Sequence, residues 1–325
     1  MANHSNKKEI FVIGCGRWGT FIAWYLDKIG HSVTLYGRES SARMQTLMTE
    51  RKNEQLTLSE SLALTTDLSG CLNAEIIVIS IGAQQLAGLA EQLRSLDLQG
   101  KTIVLCMKGI EIGSGRRLSQ ICAEVLAPAN NIAVWLGPGH VQEFCRGIPN
   151  CMVIDSQDEQ VKEYLIQAFA GDLIRFYYGT DLIGNEIGGA AKNVIGIAAG
   201  MLDGAGLSSL KGALMARGTR EIARLIQAMG GQETTAYGLC HLGDYEATLF
   251  SPHSQNLAFG KALVRGEQYD KLAEGYYTAK ALKELSDQYQ VELPICDAVY
   301  RILYENTNPD EMLQQLFRRS LKNEF

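Results

Sequence analysis

A glycine-rich segment near the start of this 325-residue chain constrains its fold more than any other feature. The apolar run Glu9–Ile13 predicts a strand, and a helical pattern begins at Thr20. Between them stand Gly14, Gly16 and Gly19, in the pattern GxGxxG. The first glycine permits a tight turn, the second lets a pyrophosphate approach the backbone, and the third lets the helix pack against the strand. The segment therefore predicts a dinucleotide-binding site at a helix N-terminus.

The remainder of the first half alternates between strand and helix patterns. A β-rich run occurs at His31–Tyr36. Continuous apolar runs, typical of parallel strands buried on both faces, occur at Ala74–Ile81, Lys101–Met107 and Ile132–Leu136. From about Asp181 onward the periodicity is helical, with few β-rich runs. We therefore predict an α/β fold. A Rossmann-type, doubly wound parallel sheet would occupy residues 1–179 and bind the dinucleotide, and an all-helical substrate and catalytic domain would occupy residues 180–325.

Composition excludes several classes of protein. The net charge of −6 gives no reason to expect a nucleic-acid partner. No stretch approaches the ~20 apolar residues of a membrane-spanning helix, and the polar N-terminus has no signal-peptide pattern. The eight cysteines are scattered, without a CxxC pair or a Cys/His cluster of zinc spacing. These features predict a cytoplasmic protein with reduced thiols and no metal site.

The residues after the second predicted strand bear on the choice of dinucleotide. Tyr36 ends that strand, where an NAD-selective site usually places an acidic residue on the ribose 2′-hydroxyl. Arg38 follows, and a guanidinium suits the 2′-phosphate of NADP. NADP(H) is therefore favoured over NAD(H), although Glu39 offers an alternative ribose ligand. Arg17 and Trp18, inside the glycine pattern, are further candidate cofactor contacts.

Two lysines are placed where chemistry is expected. Lys108 follows an apolar strand, at the strand end where open α/β sheets bind ligands. Lys192 lies in an otherwise apolar helix, and partial removal from water suits a lysine to proton transfer. Asp244 begins a polar segment and could hold Lys192 protonated and oriented.

The predicted helix that contains Lys192 also contains several glycines. Each costs roughly 1 kcal/mol relative to alanine, which indicates close packing against the first domain. These glycines are Gly188, Gly189, Gly196 and Gly200.

Several segments in a fixed order closely resemble the bacterial NAD(P)-dependent glycerol-3-phosphate dehydrogenase family. They are GCGRWGT, MKGIE, GPGHVQEF, EIGGAAKNVIGIAAGMLDGAG, ARGTREIARL, GLCHLGDYEAT, AEGYYTAKAL and VELPICDAVYRILYEN. The resemblance extends from Ile10 to about Lys322, and this ordered set is far more specific than GxGxxG alone. It implies reversible reduction of dihydroxyacetone phosphate to sn-glycerol 3-phosphate by a homodimer that binds a nicotinamide dinucleotide.

The resemblance also implies roles for individual residues. Lys192 matches the lysine that gives and takes the proton, with Asp244 orienting it. Lys108 matches a lysine that takes part in catalysis and in substrate and cofactor binding. The remaining implied substrate residues are Asn193, Thr248, Gln255 and Asn256, and the remaining implied cofactor residues are Gln255 and Glu274. Because Lys192 fills the general-acid role, three single histidines are interpreted as structural or pocket-lining: His140, His241 and His253.

One segment departs from the family pattern. Gln255 and Leu257 stand where the family has arginines beside the substrate phosphate and the pyrophosphate. A charge-assisted contact to phosphate is lost unless another cation compensates, and the candidates are Lys211, Arg217 and Arg220. The first alternative is therefore an offshoot that performs the same hydride transfer on another three-carbon or carrier-bound substrate. The second alternative is a non-catalytic dinucleotide sensor, against which the retained lysines argue.

Overall fold

A computed structural model describes residues 7–126, 128–321 and 323–324 of the chain. Within these residues, eight strands form one sheet. They are β1 (Glu9–Ile13), β2 (Ser32–Tyr36), β3 (Ala63–Thr65), β4 (Ile76–Ile79), β5 (Thr102–Leu105), β6 (Asn131–Leu136), β7 (Asn150–Ser156) and β8 (Ile174–Tyr178). The strand order is β3-β2-β1-β4-β5-β6-β7-β8. The order reverses between β1 and β4, which is the topological switch point of a doubly wound fold.

The chain divides into two compact units. The first comprises the residues up to Lys108 together with Arg117–Leu182. The second comprises Gly109–Arg116 together with the residues from Ile183 onward. Nothing in the composition of Gly109–Arg116 predicts that it packs with the helical half of the chain. Its Ile110 is completely buried in the core of the second unit.

The sheet belongs to the first unit and confirms the predicted fold class. Strands β1 to β6 pair in parallel, and β4 and β5 are buried along their whole length. Because alternate side chains point to opposite faces, both faces of these strands are covered. The accompanying helices are α1 (Arg17–Lys28), α2 (Ala42–Glu50), α3 (Leu86–Ser95), α4 (Leu118–Val125), α5 (Val141–Cys145) and α6 (Glu159–Phe169).

One strand departs from the predicted parallel arrangement. Strand β7 runs antiparallel to β6, and β8 then pairs with β7 in parallel. The connection between β6 and β7 contains only the five-residue helix α5. Such a helix spans only about 7.5 Å, too little to carry the chain back along the sheet as the longer helices do.

The second unit is helical, as predicted. Its helices are α7 (Leu182–Gly204, whose first residue belongs to the first unit), α8 (Lys211–Ala228), α9 (Gln255–Arg265), α10 (Glu274–Tyr289), α11 (Pro294–Tyr304) and α12 (Pro309–Phe317). Helix α7 is buried on all sides along most of its length, which is why its sequence is apolar all round. No helix among the described residues is long and apolar enough to span a membrane.

The glycines of α7 have a different packing role from the one expected. The expectation was contact with the first domain, but three of them face residues of their own unit. A Cβ at Gly188 would lie 2.9 Å from the Cβ of His241, and one at Gly196 would lie 2.7 Å from Cγ2 of Thr248. A Cβ at Gly200 would overlap the carbonyl of Leu257. These glycines therefore allow the segments that follow α8 to approach the α7 backbone.

Candidate active site

The glycine loop after β1 has the geometry that the motif predicts. Gly14 adopts φ +117°, and a Cβ there would overlap the carbonyl oxygen of Ser80. A Cβ at Gly19 would overlap the carbonyl oxygen of Gly14, so the third glycine lets α1 lie against the loop. Gly16 differs, because a Cβ there would meet no atom within 4 Å. The first and third glycines are therefore required by the fold, whereas Gly16 borders open space.

This open space fits the pyrophosphate of a dinucleotide. Gly16 is the N-cap of α1 and has no side chain to occupy the N–H groups of the first helical turn. Those N–H groups and the positive end of the helix dipole favour an anion. The small residue lets such an anion approach the backbone. The loop therefore has the open backbone that a dinucleotide phosphate requires.

The other predicted cofactor residues of the first unit differ in environment. Arg17 and Arg38 are exposed, at the start of α1 and just beyond β2. Trp18 is half-buried, and its ring packs 5.2 Å from the ring of Phe21 and 6.2 Å from that of Phe144. The two arginines are thus placed to meet a ligand, while Trp18 also anchors α1 to the core.

Lys108 lies just beyond β5, as predicted. Its Nζ donates a hydrogen bond of 2.6 Å to the carbonyl oxygen of Gly137, which directly follows β6. Since β5 and β6 are neighbouring parallel strands, this bond fixes a half-buried ammonium at their carboxyl ends. That edge of an open α/β sheet is where ligands bind.

In the second unit, α7 presents Lys192 to a carboxylate and a hydroxyl. The Nζ of Lys192 lies 2.8 Å from Oδ2 of Asp244 and donates a 2.6 Å hydrogen bond to Oγ1 of Thr248. Thr248 in turn donates to the carbonyl oxygen of Asp244 at 2.7 Å. The Lys192 side chain is 9% exposed and that of Asp244 is 1% exposed. The predicted pair therefore exists, and it is almost entirely removed from water.

The segment that carries the two partners of Lys192 is irregular. Asp244 ends a short 3₁₀ turn, Leu242–Asp244, and Thr248 lies in a π-helical turn, Glu246–Phe250. π-Turns are frequent at functional sites because they shift side chains away from ordinary helical positions. Here a carboxylate and a hydroxyl four residues apart both contact one ammonium.

Two predicted asparagines form a second polar link beside this pair. The Oδ1 atom of Asn193 accepts a 3.0 Å hydrogen bond from Nδ2 of Asn256. The Oδ1 atom of Asn256 accepts a 2.9 Å bond from the backbone N–H of Gly275. Glu274, the other residue implied in this region, begins α10 and precedes that glycine. These contacts connect α7, α9 and the start of α10 within the second unit.

The two positions that depart from the family pattern have specific environments. The Oε1 atom of Gln255 accepts a 2.6 Å hydrogen bond from the hydroxyl of Tyr269. Leu257 is 9% exposed and packs in the core of the second unit. The Gln255–Tyr269 contact could not have been read from the sequence, because it depends on how the loop after α9 folds back.

The three candidate compensating cations each have a partner in the second unit. The Nζ atom of Lys211 lies 2.7 Å from Oδ2 of Asp203 and donates a 2.8 Å bond to the carbonyl oxygen of Leu249. Arg220 pairs with Glu233 at 3.0 Å. Arg217 donates to the backbone carbonyl oxygen of residue 324 at 3.0 Å. Each of these three side chains therefore uses some of its hydrogen-bond donors in contacts within the fold.

The arrangement around Lys192 is suited to proton donation. A carboxylate and a hydroxyl fix the position of this ammonium, and an ammonium can donate a proton to a nearby oxygen. Burial strengthens its interaction with any charge that develops on that oxygen. The second unit thus offers a candidate general acid, and the first unit offers a candidate dinucleotide-binding loop.

Comparison with known proteins identifies the family. Residues 9–162 match the N-terminal part of NAD-dependent glycerol-3-phosphate dehydrogenase, and residues 181–314 match its C-terminal part. A glycerol-3-phosphate dehydrogenase [NAD(P)+] of Bradyrhizobium sp. (strain ORS 278) is 39% identical over 323 residues, 98% of each chain. One from Salinibacter ruber is 35% identical over 330 residues, 97% of this chain and 96% of that protein.

A solved structure agrees with the sequence comparison. The crystal structure of glycerol-3-phosphate dehydrogenase from Coxiella burnetii superposes with a TM-score of 0.90 at 30% identity, covering 96% of this chain and 99% of that one. The match covers both the sheet and the helical region. The chain therefore belongs to the NAD-dependent glycerol-3-phosphate dehydrogenase family of NAD(P)-dependent oxidoreductases acting on a CH–OH group.

Proposed function

We propose that this chain reduces dihydroxyacetone phosphate to sn-glycerol 3-phosphate, reversibly, with Lys192 as the proton donor. The observation that carries the proposal is the buried contact of Lys192 with Asp244 and Thr248, in a member of this family. The names of the related proteins support the substrate.

The residues of this chain supply the proton side of the reaction. As the ketone carbon receives a hydride, negative charge grows on its oxygen, and the Lys192 ammonium stabilises that charge and then transfers a proton to it. Asp244 holds the Lys192 ammonium in position through an ion pair, and the hydrogen bond to Thr248 helps to fix its orientation. In the reverse direction the neutral amine takes the proton back. Lys108 and Asn193 orient the polar ends of the substrate.

A bound reduced nicotinamide supplies the hydride. The loop at Gly14, Gly16 and Gly19 and the first turn of α1 would hold the dinucleotide phosphates. We infer a preference for NADP(H), because Arg38 is exposed just beyond β2, where the ribose 2′-phosphate is expected. Arg38→Ser should weaken NADPH use by about 10–150-fold relative to NADH, the value of a hydrogen bond to a charged group. An unchanged ratio of kcat/KM for the two cofactors would contradict this preference.

The test of the reaction is oxidation of NADPH and of NADH, followed by loss of the reduced-nicotinamide absorbance, with dihydroxyacetone phosphate as substrate. Unphosphorylated dihydroxyacetone is the matched control. We expect rapid turnover of the phosphate ester and much slower turnover of the control, since contacts to the phosphate anion contribute to transition-state binding. A protein that binds NADPH but does not turn over dihydroxyacetone phosphate would refute the proposed substrate.

A second candidate is an offshoot that acts on another three-carbon or carrier-bound ketone by the same hydride transfer. It is favoured by Gln255, a neutral side chain bonded to Tyr269, and by the core position of Leu257. If Gln255→Arg raises kcat/KM for dihydroxyacetone phosphate more than tenfold, the offshoot is favoured. An unchanged or lower value supports dihydroxyacetone phosphate as the substrate of the native chain.

We further propose that the chain acts as a homodimer in the cytoplasm. The family resemblance supports the dimer, and light scattering of the purified protein tests it. The eight free thiols, several of them buried, suit a compartment that keeps cysteines reduced. A monomer at the concentrations of the activity assay would contradict the dimer.

A further inference from the structure

His241 lies against the proton-donating pair and makes three connections there. Its ring is completely buried, one residue before the 3₁₀ turn that ends in Asp244. Its Nδ1 atom lies 2.8 Å from the carbonyl oxygen of Gly188. Its Nε2 atom lies 2.7 Å from the hydroxyl of Tyr245, and its own carbonyl oxygen accepts a 3.0 Å bond from the Asp244 N–H.

These contacts fix the tautomer of the ring. A carbonyl oxygen can only accept, so the Nδ1 atom of His241 must carry the hydrogen that points at Gly188. In the neutral ring Nε2 then has a lone pair, and the Tyr245 hydroxyl donates to it. Burial, together with a smaller effect of the nearby Lys192 ammonium, lowers the pKa of His241 to about 4, although the hydrogen bond to Gly188 and the charge of Asp244 act in the opposite direction. The ring is therefore neutral, with both nitrogens satisfied.

The three connections join the two halves of the catalytic pair. Gly188 lies one helical turn before Lys192, so its carbonyl is also the acceptor of the Lys192 backbone N–H in α7. The His241 side chain thus bonds to the turn that carries the lysine, while its backbone bonds to the residue that carries the carboxylate. A Cβ at Gly188 would lie 2.9 Å from the His241 Cβ, so a glycine at that position permits this close approach.

We propose that His241 is a positioning residue for the Lys192–Asp244 pair: its Nδ1–H tautomer, held by Tyr245, sets the spacing between α7 and the 3₁₀ turn. The inference rests on the proposed role of Lys192. His241 is too deeply buried to touch a substrate, and the three connections act through the backbones that bear the two catalytic side chains. A buried hydrogen-bond network of this kind holds a catalytic group in one position and orientation.

The test compares two polar substitutions of similar size. His241→Asn places an amide N–H near the position of Nδ1 and keeps the donor to Gly188. His241→Gln places its amide near the position of Nε2 and loses that donor. We expect His241→Asn to retain kcat within a few-fold, and His241→Gln to lose about 10²-fold in kcat, the effect of misplacing a catalytic group by about 1 Å. KM for dihydroxyacetone phosphate should change less than kcat in both variants.

A matched control lies in the first unit. His31 also bonds a main-chain carbonyl through its ring, since its Nε2 atom lies 2.6 Å from the carbonyl oxygen of Ala168. His31→Gln should leave kcat unchanged. If His241→Asn and His241→Gln reduce stability but keep the wild-type kcat in the folded fraction, His241 is only structural and the inference is wrong.

Further variants separate this inference from the proposed function. If Lys192→Met keeps full activity, the proposed function fails; if Lys192→Met is inactive and His241→Gln is fully active, only the positioning role fails. Should both His241 variants fail to fold, Tyr245→Phe decides, since it removes one hydroxyl and frees the ring. We expect it to lower kcat about 3–10-fold through looser positioning, and an unchanged kcat would overturn the inference.

Discussion

Two buried lysines of the helical unit show how much residue environment decides function. Counted over the whole residue, Lys192 and Lys211 are each 7% exposed. The Nζ atom of each lies within 2.8 Å of an aspartate oxygen. Lys211 donates a second hydrogen bond to the main-chain carbonyl of Leu249, which fastens α8 to the π-helical turn Glu246–Phe250. Lys192 bonds the hydroxyl of Thr248 instead, and the resemblance to the family implies that Thr248 and the adjacent Asn193 are substrate residues. Burial and an ion pair alone therefore do not identify a catalytic lysine.

The buried histidine gives a prediction about stability and pH. The pKa of His241 is about 4 in the folded chain, against 6.5 for an ordinary histidine. Below about pH 6.5 the His241 side chain binds a proton in the unfolded chain but stays neutral in the folded chain. The free energy of unfolding therefore decreases as the pH falls toward 4. Between pH 7 and pH 5 this group lowers the free energy of unfolding by about 2 kcal/mol.

Urea unfolding of the wild type and of His241→Asn at the two pH values measures this effect. The free energy of unfolding of the wild type should fall by about 2 kcal/mol more than that of the variant, which lacks the titrating group. An equal fall in both proteins would mean that His241 is not held neutral by the fold.

At the scale of secondary-structure elements, two glycines of the loop between β1 and α1 have different environments. The backbone at Gly14 has a positive φ and no room for a side chain, whereas Gly16 has φ −72° and open space around it. The fold thus requires a glycine at position 14, and we expect the proposed dinucleotide to require one at position 16.

This difference predicts opposite effects of two alanine substitutions. Gly16→Ala should fold with the wild-type melting temperature, to within about 0.5 kcal/mol of stability, but bind NADPH at least tenfold more weakly, because the methyl group fills the approach of the pyrophosphate. Gly14→Ala should lower the melting temperature by steric overlap with Ser80. Fluorescence titration and thermal unfolding measure the two effects. Tight NADPH binding by Gly16→Ala would show that the phosphates do not pass over this loop.

Several elements were predictable from local pattern and others were not. Strand Glu9–Ile13 has the bounds that its pattern predicts, because an apolar run ends there at a glycine-rich turn. The antiparallel direction of β7 was not predicted, since it depends on a connection too short to cross the sheet.

The contacts of the candidate site likewise include some that the local sequence pattern predicts and others that it does not. Lys192 and Asp244 stood out as charged residues in apolar or glycine-rich surroundings, and the structure brings them together. The bonds of His241 to Gly188 and of Tyr269 to Gln255 have no local signature. They form only when irregular turns pack against α7 or α9, and so the pairing partners cannot be chosen from spacing.

At the scale of the whole molecule, each unit has its own core, and the second core includes residues from the first half of the chain. The segment Gly109–Arg116 contributes the fully buried Ile110 to the second core. It is further tied there by the hydrogen bond from the Gly113 N–H to Glu284 on α10. A cut at a single point in the chain would therefore not release a complete second unit.

This organisation predicts where a core mutation acts. Ile110→Ala should cost about 2–4 kcal/mol, the usual cost of truncating a buried isoleucine. In native-state hydrogen exchange, the amides of α7 and α10 should lose protection, while those of β4 and β5 keep theirs, because the units can open separately. Loss of protection confined to β4 and β5 would contradict the assignment of this segment to the second core.

The most direct test of the account compares kcat for dihydroxyacetone phosphate reduction in Lys192→Met and Lys211→Met. Both changes remove a buried ammonium from an aspartate at similar volume. We predict that Lys192→Met loses at least about 10³-fold in kcat, as expected when a general acid and its charge stabilisation are both removed. Lys211→Met should lose stability but retain kcat within a few-fold in the folded protein. Comparable losses in both variants, or a Lys192→Met enzyme within tenfold of wild type, would contradict the role of Lys192 as the proton donor.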